Sequence, residues 1–313
     1  MIEVIGKNGI KAKLIKDSKS LIGKRMSTFE FDMPRIILAE SNTHRATSKN
    51  ASSSRAIPLK TAIQNIIDNP FYPVYWGKNQ PGMQAKEELQ GEDLDRAKML
   101  WGKAIRQNLD VVREFEKLGV HKQIAARWLE TPQIIKCVTS GTDWDNLLWL
   151  RNDEEAQPEY EELAKCIQEC FRQSEPELLL VGEWHLPYVE TKRIGSALHY
   201  IDSNGDELTL EEAKMISASC CAQVSYRKLN DTKEKAIEIY NKLFSGRKPH
   251  MSPTEHQATP ISFAYSMNSY LDVSSWENGV THMTRSGDLC SGNLNGWIQL
   301  RQTLPNNVYK NGV

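Results

Sequence analysis

The pattern of apolar and polar residues at the start of the chain predicts β-strands. Within the first 32 residues the two classes alternate, most regularly over Thr28–Asp32. A period of two places every second side chain on the same face of a strand. Asn8 and Gly9 interrupt the alternation with a turn signal, so more than one strand is expected here.

Apolar residues spaced three and four apart predict helices over much of the remaining chain. The pattern is most regular from Leu94, and Gly119 stands where that helix is expected to stop. Two later helices carry the residues of a capping box, Thr209 with Glu212 and Asp231 with Glu234. The predicted helices run from Pro34 toward His44 and over 59–69, 94–119, 121–130, 143–152, 159–171, 209–225 and 231–246.

The segments between these helices lack a regular period. A polar loop is expected after His44-Arg45, an ordered surface loop over 71–83, and an irregular stretch over 175–208 with a hairpin turn at 202–205. Short strands and loops are expected over 261–290. Strands near both ends with helices between them favour an α+β fold with one mostly antiparallel sheet. Because no Gly-, Pro- or Ser-rich linker divides the chain, a single domain over 1–313 is expected.

Composition narrows the class of protein. The 39 basic and 40 acidic residues give a formal net charge of −1. The chain therefore lacks the excess of positive charge that is typical of nucleic-acid-binding proteins. The apolar run 178–181 is too short to cross a bilayer, and the N-terminus lacks an export signal, so a cytoplasmic protein without a membrane partner is expected. The six cysteines never form Cys-x-x-Cys, which favours reduced thiols in the core and no metal site.

The segment from His44 to Arg55 carries the most informative polar residues. His44-Arg45 is followed by a run of hydroxyls and small residues that ends at Arg55. Guanidinium groups donate paired hydrogen bonds and small residues let backbone N–H groups approach, so such a segment suits a phosphate or an anionic nucleotide. A solvated polar loop has the same composition, and the residues alone leave both interpretations open.

Two further regions place chemically useful side chains near helix ends. Arg127 and Arg151 lie on helical patterns that otherwise look buried, so each requires an anion, a carbonyl group or a protein carboxylate as its partner. The 250–256 segment, His-Met-Ser-Pro-Thr-Glu-His, combines Ser252 and Glu255 in a first helical turn between two histidines. The histidine spacing does not suit zinc, so a polar cofactor contact and a structural cap remain as interpretations.

The order of these residues resembles the flavin-dependent thymidylate synthases. The pattern His-Arg-x-x-Ser-x-Asn-x-x-Ser-x-Arg from His44 to Arg55, here called the signature segment, is similar to that family's signature. Other segments that resemble parts of the family are 33–40, 119–129, 146–157 and 250–256. The flavin-binding segment normally precedes the signature, whereas 250–256 follows it here. The resemblance therefore implies a circularly permuted chain of the long type that bacteriophages encode.

Within this resemblance, residues 1–172 hold nucleotide-binding motifs and 173–313 hold the flavin segment and a C-terminal extension. The implied fold is α+β, with a helical bundle beside a mostly antiparallel sheet, as in thymidylate synthase complementing proteins. An arginine, a glutamine, a glutamate and a tyrosine of the signature are replaced here by Thr43, Glu40, Ala51 and Ala56. Either another segment such as 297–301 compensates for the lost charges, or the base or the one-carbon product is changed. Glu40 suits the amino group of cytosine, and it equally suits a nearby arginine.

The resemblance also implies the site residues and the molecules that they hold. The family is a homotetramer that uses FAD, NADPH and methylenetetrahydrofolate to convert dUMP into dTMP, and each active site is built from several subunits. Arg127, Arg151 and His250 are the implied catalytic residues, with no metal ion. The implied substrate-binding residues are Glu40, Ser53, Ser54, Arg55, Arg127 and Arg151, and the implied cofactor-binding residues are His44, Arg45, Asn146, His250, Ser252 and Glu255.

Three functions follow as hypotheses. The first is a flavin-dependent thymidylate synthase that acts on dUMP in the cytoplasm, which is the host cytoplasm if a phage encodes it. The second is a flavin-dependent methyl- or hydroxymethyltransferase that acts on dCMP or dUMP and makes a modified base for phage DNA. The third is a nucleotide-binding protein without catalytic activity on the same scaffold. Because the flavin supplies the hydride in this family, none of the six cysteines is required as a nucleophile.

Overall fold

A six-stranded sheet forms the centre of the computed structural model, which describes residues 1–224, 230–245, 248–262 and 272–308. Its strands are β1 (Ile2–Ile5), β2 (Lys11–Ser20), β3 (Arg25–Pro34), β4 (Thr47–Ala51), β5 (Ile134–Gly141) and β6 (Glu177–Leu179). Their order is β1-β2-β3-β5-β4, and β6 pairs in parallel with the end of β2. The other pairs in this sheet are antiparallel, which confirms the predicted α+β class with a mostly antiparallel sheet.

Three strands of this sheet, β4, β5 and β6, are absent from the sequence prediction. β4 lies where a polar loop was expected, because its residues Thr-Ser-Lys-Asn-Ala include no large apolar side chain. Its backbone pairs with β5 from Thr47 opposite Gly141 to Ala51 opposite Cys137. Pairing within the sheet, rather than local propensity, therefore makes this polar segment a strand.

The helices lie around the sheet in separate groups. They are α1 (Leu38–Ser41), α2 (Leu59–Asp68), α3 (Gly91–Lys117), α4 (Lys122–Ala125), α5 (Asp145–Arg151), α6 (Pro158–Gln173), α7 (Leu210–Gln223), α8 (Lys233–Phe244) and α9 (Leu300–Thr303). On one face of the sheet, α5 and α6 pack against Phe29 and Phe31. On the other face α7 covers Val138, while α2 and α3 form a third group around Ile66 and Val112. The described helices thus form distinct groups, because their apolar sides are buried in different clusters.

Most of the predicted helices are present, with changes at their ends. Gly119, which follows the C-cap residue Leu118 of α3, has a φ of 73°, as expected for a helix stop. The helix predicted from Pro34 toward His44 is shorter, since a 3₁₀ turn occupies 35–37 and α1 ends at Ser41. Both the N–H and the hydroxyl of Thr43 donate to the Glu40 carbonyl, which closes that helix early. The predicted helix ends at Ser225 and Gly246, and residues 263–271 of a predicted loop region, lie outside the described residues.

Smaller sheets complete the described chain. Their strands are β7 (Glu190–Ile194), β8 (Ala197–Ile201), β9 (Glu207–Leu208), β10 (Ala258–Pro260), β11 (His282–Met283), β12 (Leu289–Ser291), β13 (Leu294–Asn295) and β14 (Trp297–Gln299). The stretch 175–208 is therefore more regular than predicted, although the turn at 202–205 between β8 and β9 is confirmed. β10 follows the 250–256 segment directly and pairs with β14.

Only one of the two predicted capping boxes is present. At α7, Thr209 Oγ1 accepts from the Glu212 N–H at 3.3 Å, and Glu212 Oε2 accepts from the Thr209 N–H at 3.0 Å. The second prediction is wrong, because α8 starts after Thr232 rather than after Asp231. The Thr232 hydroxyl donates to Asn230 Oδ1 at 2.8 Å and makes no cap bond to its helix.

These two helix starts provide a matched test of stability. We expect Thr209→Ala to lower the free energy of unfolding by about 1 kcal/mol, the usual effect of removing a side-chain N-cap. Thr232→Ala, which removes no cap bond, should have less than half of that effect. Urea unfolding followed by circular dichroism measures both values. Equal losses in the two variants would contradict the assignment of the cap.

Candidate functional site

Arg151, the last residue of α5, brings two residues of the signature region together. Its Nε donates to His44 Nε2 at 2.7 Å, and its Nη1 forms an ion pair with the Glu40 carboxylate. The guanidinium carbon lies 5.1 Å from the centre of the Tyr160 ring on α6, within the range of a cation–π contact. Glu40, His44, Arg151 and Tyr160 are called the Arg151 cluster below. Three residues that the sequence assigns to substrate or cofactor therefore meet in one place.

The charge in this cluster resides on Arg151 and Glu40. His44 Nε2 accepts the hydrogen bond from Arg151, so the neutral imidazole carries its proton on Nδ1. Burial, together with the positive charges of Arg151 and Lys49, lowers the pKa of His44 to about 4. Burial raises the pKa of Tyr160 to about 12, so its ring faces the guanidinium as a neutral phenol. Glu40 is thus the carboxylate that offsets Arg151.

Lys49 fixes the turn that carries His44 and Arg45 into β4. Its Nζ donates to the His44 carbonyl at 2.7 Å and contacts Thr47 Oγ1, and the Thr47 hydroxyl also donates to the His44 carbonyl at 2.9 Å. Burial lowers the pKa of Lys49 to about 8. Sequence reasoning misses this residue, because its role depends on the position of β4 in the sheet.

A second cluster surrounds Glu130 at the end of the 3₁₀ turn that follows α4. Its Oε1 accepts from the Ser54 hydroxyl at 2.9 Å and from Arg127 Nη1 at 2.6 Å, and Arg35 Nη2 lies 3.2 Å away. Burial alone would raise the pKa of Glu130, but hydrogen bonds from Ser54 and Arg127 and the charges of Arg35 and Arg127 hold it below its ordinary value. Arg35, Ser54, Arg127 and Glu130 are called the Glu130 cluster below.

The Glu130 and Arg151 clusters identify the partners of Arg127 and Arg151, which the sequence leaves open. Arg127 and Arg151 both have protein carboxylates as partners, Glu130 and Glu40. The Arg127 side chain is nevertheless 49% exposed, in contrast to the buried position that the helical pattern suggests. Sequence reasoning also misses Glu130, although its spacing of three residues from Arg127 was a usable signal for a helical ion pair.

The remaining predicted site residues reach solvent. The side chains of Arg45, Arg55, Asn146 and His250 are exposed and make no hydrogen bond or ion pair with the described ranges of the chain. Ser53 is partly exposed, and its hydroxyl accepts from the Arg55 N–H at 3.3 Å. The guanidinium groups of Arg45 and Arg55 form no ion pair with a carboxylate of the described residues, which leaves them available for an anionic ligand.

The 250–256 segment packs against the signature segment although the two are distant in sequence. The 3₁₀ turn Ser252–Glu255 lies against β4. The side-chain amide of Gln299 is within hydrogen-bond distance of Ser48 Oγ at 3.4 Å and of the Glu255 carbonyl at 3.2 Å. Ser48 is therefore linked to this segment through Gln299, whereas no hydrogen bond or ion pair joins Arg55 to His250 in the described part of the chain.

A buried row of hydrogen bonds ties His256 to the central strands. His256 Nδ1 lies 2.9 Å from Ser140 Oγ, which is 2.6 Å from Thr28 Oγ1. Thr28 Oγ1 lies 2.9 Å from His185 Nε2, and His185 Nδ1 lies 2.8 Å from Ser18 Oγ. All five side chains are fully buried, and they are called the His256 row below. Burial lowers the pKa of His256 to about 3 and the pKa of His185 well below its ordinary value, so both rings are neutral.

The cysteine thiols lie in the core of the protein rather than at its surface. All six cysteines are buried free thiols, which confirms that they fill the core, and burial raises the pKa of Cys137 to about 11. In the part of the chain that the structure describes, no group of three or more His, Cys, Asp or Glu side chains is placed to hold a metal ion. The described helices also include none with the length and apolar character needed to span a bilayer.

The fold and the clusters define an α+β protein in which arginine–carboxylate pairs and exposed arginines gather around one polar strand. The chain belongs to the thymidylate synthase complementing protein family, whose family model matches residues 10–177, more than half of its 313 residues. No curated protein matches the chain significantly. Membership indicates a thymidylate synthase, a transferase of dTMP biosynthesis. The match includes both the Arg151 and the Glu130 clusters, whereas the 250–256 segment lies outside it.

Proposed function

We propose that the chain is a flavin-dependent thymidylate synthase that converts dUMP into dTMP. Methylenetetrahydrofolate is the carbon donor in this proposal, and FAD reduced by NADPH is the hydride donor. The observation that carries the proposal is the Arg151 cluster, in which a guanidinium is held by Glu40 and His44 beside the signature segment. The family match over residues 10–177 supports the class of enzyme.

The exposed side chains form a donor set that fits phosphorylated ligands. Arg45, Arg55 and Asn146 offer guanidinium and amide N–H groups, exposed His250 offers an imidazole, and partly exposed Ser252 offers a hydroxyl. Both dUMP and FAD carry phosphates, which such groups bind through charge-assisted hydrogen bonds. His44, Arg45, Asn146, His250, Ser252 and Glu255 are the proposed FAD-binding residues. The bound flavin supplies the hydride that reduces the transferred carbon.

The chain's own residues bind the nucleotide and stabilise charge on it. In the proposal, Arg55 and Ser53 hold the phosphate of dUMP, and Ser54 acts through Glu130, to which its hydroxyl is bonded. Arg151 and Arg127 stabilise negative charge that develops on the pyrimidine carbonyl oxygens. Neutral His44 accepts from Arg151 and so orients its guanidinium without adding a second positive charge.

The pairing of Glu40 favours uracil over cytosine. A free carboxylate would accept from the amino group of cytosine, but the Glu40 carboxylate is already bound to Arg151. dUMP is therefore the proposed substrate, and a modified cytosine product is not favoured. A homotetramer in the cytoplasm remains the proposed assembly and location. The exposure of Arg55 and His250 supports sites that other subunits complete.

Two measurements test this function together. The purified full-length protein should be yellow, with absorbance near about 450 nm as for oxidised flavins. It should release tritium from C5-labelled dUMP but not from C5-labelled dCMP, and the product mass should be that of dTMP. A colourless protein that binds dUMP without tritium release would instead support a non-catalytic nucleotide-binding role.

Arg55→Ala should weaken dUMP binding by about 2 kcal/mol or more, roughly 30-fold, because a charge-assisted phosphate contact is lost. Isothermal titration calorimetry of the full-length protein measures this change. Arg113→Ala serves as the control, since Arg113 pairs with Asp110 on the exposed side of α3. Unchanged dUMP affinity in the Arg55 variant would remove Arg55 from the phosphate site.

A further inference from the structure

Gln299 joins the two polar segments of the proposed site from a part of the chain that the family match does not reach. It is the last residue of β14 and is 1% exposed. Its Nε2 lies 3.0 Å from Asn293 Oδ1, 3.2 Å from the Glu255 carbonyl and 3.4 Å from Ser48 Oγ. Ser48 also donates to Asn293 Oδ1 at 3.1 Å, so one small network connects β4 with the 3₁₀ turn of the 250–256 segment.

Arg301 binds the same 3₁₀ turn through the side chain of Glu255. Its Nη1 forms an ion pair with the Glu255 carboxylate, and its Nη2 donates to the Asn307 carbonyl at 3.0 Å. The Leu300 N–H between Gln299 and Arg301 donates to the Gln257 carbonyl at 2.9 Å. Gln299 and Arg301 therefore bind the main chain and the side chain of Glu255, and Leu300 binds the residue that follows the 250–256 segment.

Backbone pairing continues this connection beyond the turn. Ala258, two residues after His256, lies opposite Gln299 in the β10–β14 pair. The position of the 250–256 segment relative to β4 is thus set by residues 297–301 on one side and by the His256 row on the other. Because the amide of Gln299 donates to acceptors on both segments, an apolar side chain of similar length cannot replace it.

We infer that Gln299 and Arg301 are positioning residues for the proposed flavin site, acting through Ser48 and Glu255. The inference rests on the proposed function for its ligand, but the positioning itself is a property of the chain. By this inference, residues 297–301, which the family resemblance leaves unexplained, hold Ser252 and Glu255 at a fixed distance from β4. Arg301 also leaves the Glu255 carboxylate neutralised rather than free to repel a phosphate.

Hydrogen–deuterium exchange of the full-length protein without flavin tests the positioning. In Gln299→Met, we expect the backbone amides of residues 252–257 to exchange at least about tenfold faster. This is the effect of losing the local stabilisation that one hydrogen bond provides. Exchange in β7–β9 should not change. Gln302→Met is the matched control, because the Gln302 amide donates to Gln299 Oε1 but has no hydrogen bond to Ser48 or Glu255 in the described part of the chain. Unchanged exchange over 252–257, or equal effects of the two variants, overturns the inference.

Fluorescence titration with FAD tests the consequence for the site. Arg301→Met, which keeps Gln299 in place, should raise the Kd for FAD at least about tenfold, and Arg301→Lys should restore most of the affinity. The Kd for dUMP should change much less, because Arg55 is not involved. A wild-type chain that binds no FAD while Gln299→Met still shows faster exchange would refute the proposed function and leave the positioning intact. Equal FAD affinity in the wild type and Arg301→Met would overturn the role in the site.

Discussion

Replacing Arg151 by methionine should lower the rate of dTMP formation by about 100- to 1,000-fold, the usual effect of removing one group that stabilises developing charge. Methionine keeps the unbranched stem that packs near Tyr160 but cannot donate to His44 or pair with Glu40. Tritium release from C5-labelled dUMP under saturating substrate measures the effect. Arg151→Lys should recover only a small part of the rate, because lysine carries the charge without the planar fork.

A second substitution separates catalysis from folding in this experiment. Arg151→Met alone leaves the Glu40 carboxylate, whose side chain is 26% exposed, without its partner and should destabilise the fold by about 1–3 kcal/mol. Glu40→Gln combined with Arg151→Met removes the unpaired charge, so stability should return while activity does not. If the double variant regained activity along with stability, Arg151 would act only as part of the fold.

The sequence predicts well the elements that bury an apolar stripe of their own. α3 and α6 appear close to their expected bounds because the spacing of apolar residues by itself defines their buried sides. The sequence does not predict β4 for the opposite reason. Thr47–Ala51 is a strand because it pairs with β5, and it has no hydrophobic pattern of its own. A single sequence carries no information about which strand will pair with a polar segment.

The same distinction applies to the candidate site. The residue types and order around His44 and Arg151 indicate an anion-binding site, and the structure brings His44, Arg151 and Glu40 into contact. The contacts of Gln299 with Ser48 and Glu255 join residues far apart along the chain, so no local motif announces them. Short-range sequence patterns therefore identify side chains that can bind or react with a ligand. The fold determines which of these side chains are in contact.

Acidification should destabilise the protein well before its carboxylates titrate, because His185 and His256 are buried in neutral form. An unfolded histidine has a pKa of about 6.5, whereas burial lowers the pKa of His256 to about 3 and also lowers that of His185. Between about pH 6.5 and pH 5 the unfolded state binds protons that the folded state does not, so the free energy of unfolding falls as the pH falls. The loss reaches about 2 kcal/mol at pH 5 for His256, and His185 adds to it.

Urea unfolding at pH 7 and at pH 5 measures this loss directly. His256→Asn, whose amide can still bond to Ser140, should reduce the difference between the two pH values by about 2 kcal/mol, because asparagine does not titrate. His250→Asn, at an exposed position in the same segment, is the matched control for replacing a histidine there. His44, whose pKa burial also lowers to about 4, contributes equally to all three proteins and cancels in the comparison. A His256 variant with the wild-type pH dependence would show that folding leaves the pKa of His256 unchanged, and the His256 row could not then keep this ring neutral in acid.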